Sequence, residues 1–483
     1  MSALGGPLPA LHGLPSVESR RSCRAICVGA VMMLELAGGI AWGQSDEPYA
    51  IEPIRWEEDY SYLRDRSPLP FPESLKYLPF GTADYVSFGG EYRLKLEGYD
   101  DPNFGLTHTP NFDALSNRVL LHADVHIDSS VRLFVQLGYA DESGRLPAER
   151  PFDNGGVNLA QGFVDWTTAS ADAPWRVRLG RQEIEIGRYV TVRDGTAIPR
   201  TFDGVRVDGQ LAGWSVLAFG ARPTLDRRQA FGDEPDPSDF AAALVATHSV
   251  PSSPGLLIDL LALYRDFSGA RYLAGLGHEL RDSLGVRLHG AVGSWDVDTQ
   301  VSHQFGQFTP NGVATLTIDS WGAASEGGYT FHEVAASPRL GIRVDAAEGD
   351  RHPTDHTLQT FDLPYPNLTY LTDAAFIAPR NVWDIDPFVS AKIRSALTFT
   401  VGAQFLWRLT RQDAIYSPIG TIVIRPDTRG SFVAAQPYVR ASWRPKAYLE
   451  LVVAGVHAIP GEAASSAGGR TQDYFATSVS ARF

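Results

Sequence analysis

The chain has 483 residues, of which 44% are hydrophobic, 11% aromatic and 20% charged, with a net charge of −14. This hydrophobic fraction excludes a disordered protein, and the acidic balance removes any electrostatic case for nucleic-acid binding. Only one continuous apolar run is present, near the start, so a bundle of membrane-spanning helices is excluded. Both cysteines and all three methionines lie within the first 33 residues, which excludes thiol catalysis, cysteine metal sites and a disulfide framework from the rest.

The first 43 residues have the pattern of a secretory signal peptide. Arg20, Arg21 and Arg24 precede an apolar core at 25–37, and Ala41-Trp42-Gly43 offers small residues at the positions that signal peptidase reads. The alternative is a membrane anchor, but residues 25–41 are short for a span and contain Glu35. We therefore predict a signal peptide at 1–43, whose removal leaves a chain with a net charge of −15.

Residues 44–82 are rich in proline and aromatic residues and show neither helical nor strand periodicity. Pro68, Pro70, Pro72 and Pro79 would interrupt either kind of hydrogen-bond ladder. A flexible linker is the alternative, but linkers seldom carry so many aromatic side chains. The composition predicts an extended N-terminal periplasmic segment that lies against a larger body.

From about residue 84 the hydrophobic pattern has a period of two. The strand-like runs are about ten or more residues long, which exceeds the usual length of strands in globular proteins. Long strands with strict alternation suit a membrane barrel, with the apolar face toward lipid and the polar face toward a lumen. In the first run the apolar face carries Val86, Phe88, Tyr92, Leu94 and Leu96, and the polar face carries Glu91, Arg93, Lys95 and Glu97.

The connections alternate in length, as in bacterial outer-membrane barrels. Tight breaks, including one at Arg281–Ser283, alternate with long polar segments, including 296–310 and 350–380. We count eighteen runs and predict an all-β fold at 83–483: a transmembrane antiparallel up-and-down barrel with short periplasmic turns and long extracellular loops. A soluble β-sandwich is the alternative, although it would not need this asymmetry.

The polar parity of the strands carries more basic than acidic side chains. Rings of arginine and lysine favour anions in pores, and a low-dielectric wall focuses their field. The alternative is that these side chains form ion pairs that cross-link neighbouring strands. The predicted pore-lining, substrate-binding residues are Arg93, Lys95, Arg118, Arg176, Arg178, Arg206, Arg343, Arg394, Arg408 and Arg440.

No pattern in the sequence indicates catalysis, a metal site or a cofactor. Asp113, Ser116 and His122 could be combined into a catalytic triad, but scattered serine and histidine residues are expected by chance. His352 and His356 lie four residues apart, as in metal sites on a helix, but Pro353 and the surrounding loop make a helix improbable there. We therefore expect no catalytic residues, no bound metal and no cofactor.

Several ordered motifs resemble the alginate-export family of outer-membrane barrels. They include Leu179–Gln182 with Gly187, and Arg200–Arg206. Leu75–Pro79 ahead of Phe88–Arg93, and Pro338–Gly341 ahead of Gly349-Asp350, are also similar to that family. The resemblance spans about residues 75–483 in consistent order.

This resemblance implies an eighteen-stranded monomer with an arginine-rich lumen that passes an anionic exopolysaccharide outward. One departure is the connection at Trp443–Ala447, which is too short to act as the periplasmic gate that the family's alginate exporter is thought to use. We expect a channel in the bacterial outer membrane for anionic, carbohydrate-like solutes, with outer-membrane lipid and a periplasmic secretion partner around it. The alternatives are an uptake porin for small organic anions and an outer-membrane hydrolase.

The longest loop is the best candidate for a constriction. Residues 350–380 contain Phe361, Tyr365, Tyr370 and Phe376 together with four prolines. Long loops in compact proteins are usually functional or disordered, and this aromatic content argues against disorder. We predict that 350–380, together with 141–157, folds into the barrel and narrows the pore.

Overall fold

The computed structural model describes residues 51–66, 71–82, 84–168, 173–192, 195–394 and 396–483. The predicted signal peptide at 1–43 lies outside the described residues. No helix in these ranges is both long enough and apolar enough to cross a membrane.

Eighteen antiparallel strands form one closed barrel. Each strand pairs with its neighbours in chain order, and the first strand closes the barrel by pairing with the last from Glu91 opposite Arg482 to Asp100 opposite Asp473. The strands are β1 Tyr85–Asp100, β2 Phe112–Ile127, β3 Val131–Ser143, β4 Gly155–Thr167, β5 Arg176–Gln182, β6 Phe202–Leu211, β7 Trp214–Leu225, β8 Asp239–Val250, β9 Ser253–Tyr272, β10 Gly275–Val292, β11 Trp295–Pro310, β12 Leu316–Thr330, β13 Arg339–Ala347, β14 Val382–Arg394, β15 Leu397–Arg408, β16 Phe432–Lys446, β17 Leu449–Pro460 and β18 Gln472–Arg482.

The alternating sequence pattern explains which side of each strand faces outward. On β2, the side chain of Leu121 is 51% exposed on the outer wall, whereas the next residue, His122, is buried on the inner side. On β1, Tyr92 and Leu96 are likewise exposed on the outer wall, whereas Glu91 is buried on the inner side. The predicted all-β barrel of eighteen strands is confirmed.

The two rims of the barrel differ, as predicted. The short-turn rim carries the turns that join an even-numbered strand to the next odd-numbered one, such as 212–213, 251–252 and 447–448. The long-loop rim carries 101–111, 144–154, 183–201, 226–238, 348–381, 409–431 and 461–471. Besides the barrel strands, the structure contains short elements at Arg55–Glu57, Ser61–Leu63, Glu73–Leu75, Leu78–Pro79, Pro102–Gly105, Pro151–Asp153, Glu234–Pro235, Thr357–Leu358, Ile415–Tyr416, Ile422–Ile424 and Glu462–Ser466.

Two predicted boundaries are wrong, and their errors cancel in the strand count. The predicted turn at Arg281–Ser283 lies in the middle of β10, where Asp282 is in register with Tyr264 on one side and Phe305 on the other. The predicted loop at 296–310 is strand β11. Polar residues on the outward parity, such as the exposed His303 in the middle of β11, weaken the alternation that marks a strand.

The assignment of β11 predicts different tolerance to insertions at two nearby positions. An epitope inserted after Gln300 would break the ladders with β10 and β12, because no water in the bilayer can satisfy the freed backbone groups. An epitope inserted after Gly312 lies in the 311–315 turn, where a new side chain meets nothing within 4 Å. We expect a heat-modifiable barrel with an antibody-accessible epitope on intact cells for the Gly312 insertion, and no barrel for the Gln300 insertion. Normal assembly of both would contradict strand β11.

Candidate functional site

The longest loop lies inside the barrel. This inner loop, residues 348–381, buries Phe361, Tyr365 and Phe376 in the largest apolar cluster of the molecule. Inward side chains of the wall hold it: the Tyr365 hydroxyl donates to Asp239 at 2.6 Å, and Arg265 donates to the Pro364 carbonyl oxygen at 2.9 Å. The inward fold predicted for 350–380 is therefore confirmed.

A second loop packs beside the inner loop. This short inner loop, 183–201, is described at 183–192 and 195–201. The Thr191 amide donates to the Tyr365 carbonyl oxygen at 3.1 Å, and the Tyr365 amide donates to the Tyr189 carbonyl oxygen at 3.0 Å. The predicted companion 141–157 contacts the short inner loop, where the Ile198 amide donates to the Phe152 carbonyl oxygen at 3.0 Å, and its buried Arg145 lies 2.9 Å from Glu97 of β1. The inner loop itself packs against 183–201, whose buried Ile184 and Ile186 extend the same apolar cluster.

The N-terminal segment, residues 51–66 and 71–82, enters the short-turn end of the lumen. Trp56 meets the inward Phe163 edge to face, with ring centroids 6.2 Å apart. Arg55 donates to the Phe483 carbonyl oxygen at 2.8 Å and to the Gly90 carbonyl oxygen at 3.2 Å, so it bridges the seam between the first and last strands. The sequence predicts a periplasmic segment that lies against a larger body. In the structure, the part of the segment that contains Arg55 and Trp56 lies inside the lumen, against the inner face of the barrel wall.

The packing of this segment also buries a lysine. Lys76 is fully buried, with its ammonium 5.0 Å from the Tyr60 ring centroid. Burial lowers the pKa of Lys76 to about 8, while the Glu58 carboxylate opposes that shift. The same ammonium lies 5.9 Å from the ring centroid of Phe483, next to the end of β18, and this cation–π contact links the segment to the barrel at neutral pH.

A cavity of about 700 Å³ lies between the N-terminal segment, the short inner loop and the wall. We call it the basic chamber. Its walls come from β1, β2, β16, β17 and β18 on one side and from both inner loops on the other. Seven basic and six acidic residues line it: Arg55, Arg93, Lys95, Arg118, Arg440, Arg444 and Arg482, with Glu52, Glu91, Glu183, Glu185, Asp373 and Glu450.

The two charge types are not mixed evenly around this chamber. The strand wall carries Arg93, Lys95 and Arg118 side by side on β1 and β2, whereas the short inner loop contributes Glu183 and Glu185. A solute in the chamber therefore meets a basic wall on one side and carboxylates on the other. Such a transverse arrangement orients a molecule that has both an anionic group and hydroxyl groups.

Ion pairs hold the basic side chains in place. Arg118 donates to Glu91 at 2.8 Å, Lys95 lies 3.0 Å from Glu97, and Arg440 lies 2.6 Å from Asp373 on the inner loop. Arg93 donates to the carbonyl oxygen of Thr196. These partners hold the cations in fixed positions and partly neutralise the positive charge that faces the chamber.

A second cavity of about 570 Å³ lies across the short inner loop from the first. We call it the side chamber. Its lining includes Arg176, Asp208, Arg287 and His289. Arg176 and Asp208 form an ion pair at 3.2 Å. Glu185 borders both chambers, so the short inner loop is the partition between them.

The other predicted pore residues lie elsewhere in the barrel. Arg206 pairs with Asp208 at 2.7 Å, next to the side chamber, and Arg343 lies 3.1 Å from Asp386 and donates to the Leu371 carbonyl oxygen of the inner loop. Arg394 is exposed at the short-turn rim.

Two of the ten predicted residues are covered by other segments and line neither chamber. Arg178 is 0% exposed because the rings of Trp56 and Phe163 both lie against its guanidinium group. Arg408 is 2% exposed because it donates to the carbonyl oxygens of Thr428 and Gly430 in the 409–431 loop. Neither guanidinium meets a solute while these contacts hold.

Sequence reasoning missed several residues that line the basic chamber. Glu183 and Glu185 continue the alternation of β5, a pattern that favours a strand through residue 186, but the strand ends at Gln182 and the chain turns inward. Arg55 lies in a segment without periodicity, where no signal indicates an inward side chain. Within the described ranges no group of three or more histidine, cysteine, aspartate or glutamate residues is arranged to hold a metal ion.

Comparison with known proteins identifies the fold and the family. The family model described as alginate export matches residues 84–478. No curated protein matches the chain. Among solved structures, OccK2 (OpdF) of Pseudomonas aeruginosa in complex with glucuronate is 10% identical, with a TM-score of 0.54 and coverage of 82% of this chain and 98% of that one.

Two further porin structures show the same architecture. A BenF-like porin from Pseudomonas fluorescens Pf-5 is 10% identical, with a TM-score of 0.54 and coverage of 82% and 99%. OpdK of Pseudomonas aeruginosa with vanillate is 11% identical, with a TM-score of 0.51 and coverage of 82% and 98%. The barrel is an outer-membrane channel, with the short-turn rim in the periplasm and the long-loop rim outside, and the chain belongs to the alginate-export family.

Proposed function

We propose that this outer-membrane channel carries anionic, carbohydrate-like solutes, and that its cargo is an acidic exopolysaccharide of the alginate type moving outward. The observation that carries the proposal is the basic chamber, where Arg93, Lys95, Arg118 and Arg440 converge on one cavity from β1, β2 and β16. The family match supports export as the direction.

The chemistry of such a path requires no cofactor. A carboxylate that enters the chamber exchanges part of its hydration shell for hydrogen bonds from guanidinium and ammonium groups. Each cation already has a partner, such as Glu91 for Arg118 or Asp373 for Arg440, so the solute competes with that partner and is released readily. The carboxylates of Glu183 and Glu185 can accept hydrogen bonds from sugar hydroxyl groups on the opposite side.

A polymer also requires that the inner loop moves. The inner and short inner loops pack together inside the lumen through the apolar cluster around Phe361 and Tyr365. Passage outward from the basic chamber therefore involves displacement of the inner loop from contacts such as Arg265 with Pro364. A periplasmic secretion partner would deliver the chain to the chamber side.

Uptake of small organic anions is the second candidate function. The chamber volume of about 700 Å³ lies in the range typical of sites for small molecules, so it fits one small solute without any polymer. Two structural neighbours contain glucuronate and vanillate. Cells lacking the channel distinguish the two candidates: export predicts loss of secreted acidic polysaccharide, whereas uptake predicts slower growth on a small organic acid with secretion unchanged.

Replacing two cations of the basic chamber should reduce anion selectivity. In the double variant Arg93→Gln, Arg440→Gln, the wall loses two positive charges and Asp373 loses its ion-pair partner. We expect the chloride-to-potassium permeability ratio, measured from the reversal potential in a KCl gradient, to fall at least about twofold. The matched control is Arg228→Gln, a solvent-exposed arginine outside both chambers. An unchanged ratio in the double variant would contradict the proposed path.

Shortening the inner loop should open the lumen. Deletion of 355–375 removes Phe361, Tyr365 and Tyr370 while leaving every barrel strand intact. Because pairing of β13 with β14 does not depend on this segment, the barrel should remain heat-stable. We expect severalfold higher single-channel conductance in planar bilayers. Conductance equal to that of the intact protein would mean that the inner loop does not limit the path.

A further inference from the structure

The Trp56 side chain occupies a pocket on the inner face of the barrel wall. The Cζ atom of Arg178 lies 3.8 Å from the Trp56 ring centroid and 3.7 Å from that of Phe163, so the guanidinium lies in the corner that these two edge-to-face rings form. Arg206 adds a third contact, with its Cζ atom 5.1 Å from the indole. Guanidinium groups stack favourably on aromatic faces, most strongly on indole.

The wall around this indole has one more positive than negative charge. It contains the guanidinium groups of Arg176, Arg178 and Arg206 but only two carboxylate partners, Asp165 and Asp208. Asp165 accepts two hydrogen bonds from Arg178, at 2.6 and 2.8 Å. Asp208 accepts hydrogen bonds from both Arg176 and Arg206. An aromatic ring and one further carboxylate would complete the site.

The N-terminal segment supplies both groups from adjacent residues. Glu57 follows Trp56 and is exposed beside the wall; partial burial raises the pKa of its carboxyl group, while the charges of Arg206 and Arg178 oppose that shift. We propose that Arg178, Arg206 and Phe163 form a binding site for an aromatic carboxylate entering from the periplasm, and that Trp56 and Glu57 occupy this site as an internal mimic of that ligand.

Three features make the internal occupant replaceable. Within the described part of the chain, the buried Nε1–H group of Trp56 has no hydrogen-bond acceptor, which penalises the docked state. Glu185 of the short inner loop repels the Glu57 carboxylate. The side chamber, lined by Arg176 and Asp208, lies directly beside the site and gives a ligand access to it.

The test compares block of ion current in two variants of the same segment. Trp56→Ala empties the ring position, whereas the control Tyr62→Ala removes a ring that is 46% exposed. We expect Trp56→Ala to raise single-channel conductance and to be blocked by indole-3-acetate, added from the periplasmic side, at about tenfold lower concentration than the intact channel. Tyr62→Ala should behave like the intact channel.

Two further probes and one further variant define the chemistry of the site. Cyclohexane acetate has the carboxylate without the ring face, and tryptamine has the ring with a positive charge; both should block Trp56→Ala weakly. Adding Arg206→Gln to Trp56→Ala should abolish the gain in block by indole-3-acetate, while the preserved Arg178–Asp165 pair maintains the wall.

Equal block of the intact channel and Trp56→Ala, or block by indole-3-acetate that persists in the Arg206→Gln double variant, would overturn the proposal. Current in these experiments is carried by salt ions. The outcome therefore does not depend on whether the physiological cargo is a polysaccharide.

Discussion

The requirement that every backbone polar group be paired inside a bilayer dominates this structure. A sheet in hydrocarbon cannot leave an edge, so the first and last strands must meet, and the seam from Glu91–Arg482 to Asp100–Asp473 satisfies that requirement. A barrel of eighteen strands has a wide lumen, unlike small barrels that their own side chains fill. The inner loop, the short inner loop and the N-terminal segment fill that space.

Arginine is the residue that connects these inner segments to the wall. Arg265 donates to the Pro364 carbonyl oxygen, Arg343 to that of Leu371, and Arg408 to that of Gly430. A guanidinium has five donors in a rigid plane and keeps its charge when buried, so it can satisfy an ion-pair partner and a loop carbonyl at once. The arginine-rich lumen therefore serves two purposes: part of it anchors loops, and part of it faces the chambers.

The division between these purposes could not be deduced from strand parity. Parity correctly assigned the inward side of β1, β2, β5 and β16, because lipid exposure selects apolar residues at every second position. It does not indicate what lies against an inward side chain. Arg118 lines a chamber and Arg178 is covered, although both are inward arginines with an acidic partner on a neighbouring strand. The difference comes from Trp56, more than 100 residues before Arg178 in the chain.

The amino-acid sequence is sufficient to predict the barrel, the asymmetry of its rims and the inward fold of the longest loop. These features follow from local patterns: period-two hydrophobicity, turn composition, and aromatic residues in a loop that must be buried somewhere. The folded chain alone reveals the position of β11, the end of β5 at Gln182, the pairing of the two inner loops and the place of the N-terminal segment in the lumen. Those features depend on contacts between residues far apart in the chain, and such contacts leave no periodicity in the sequence.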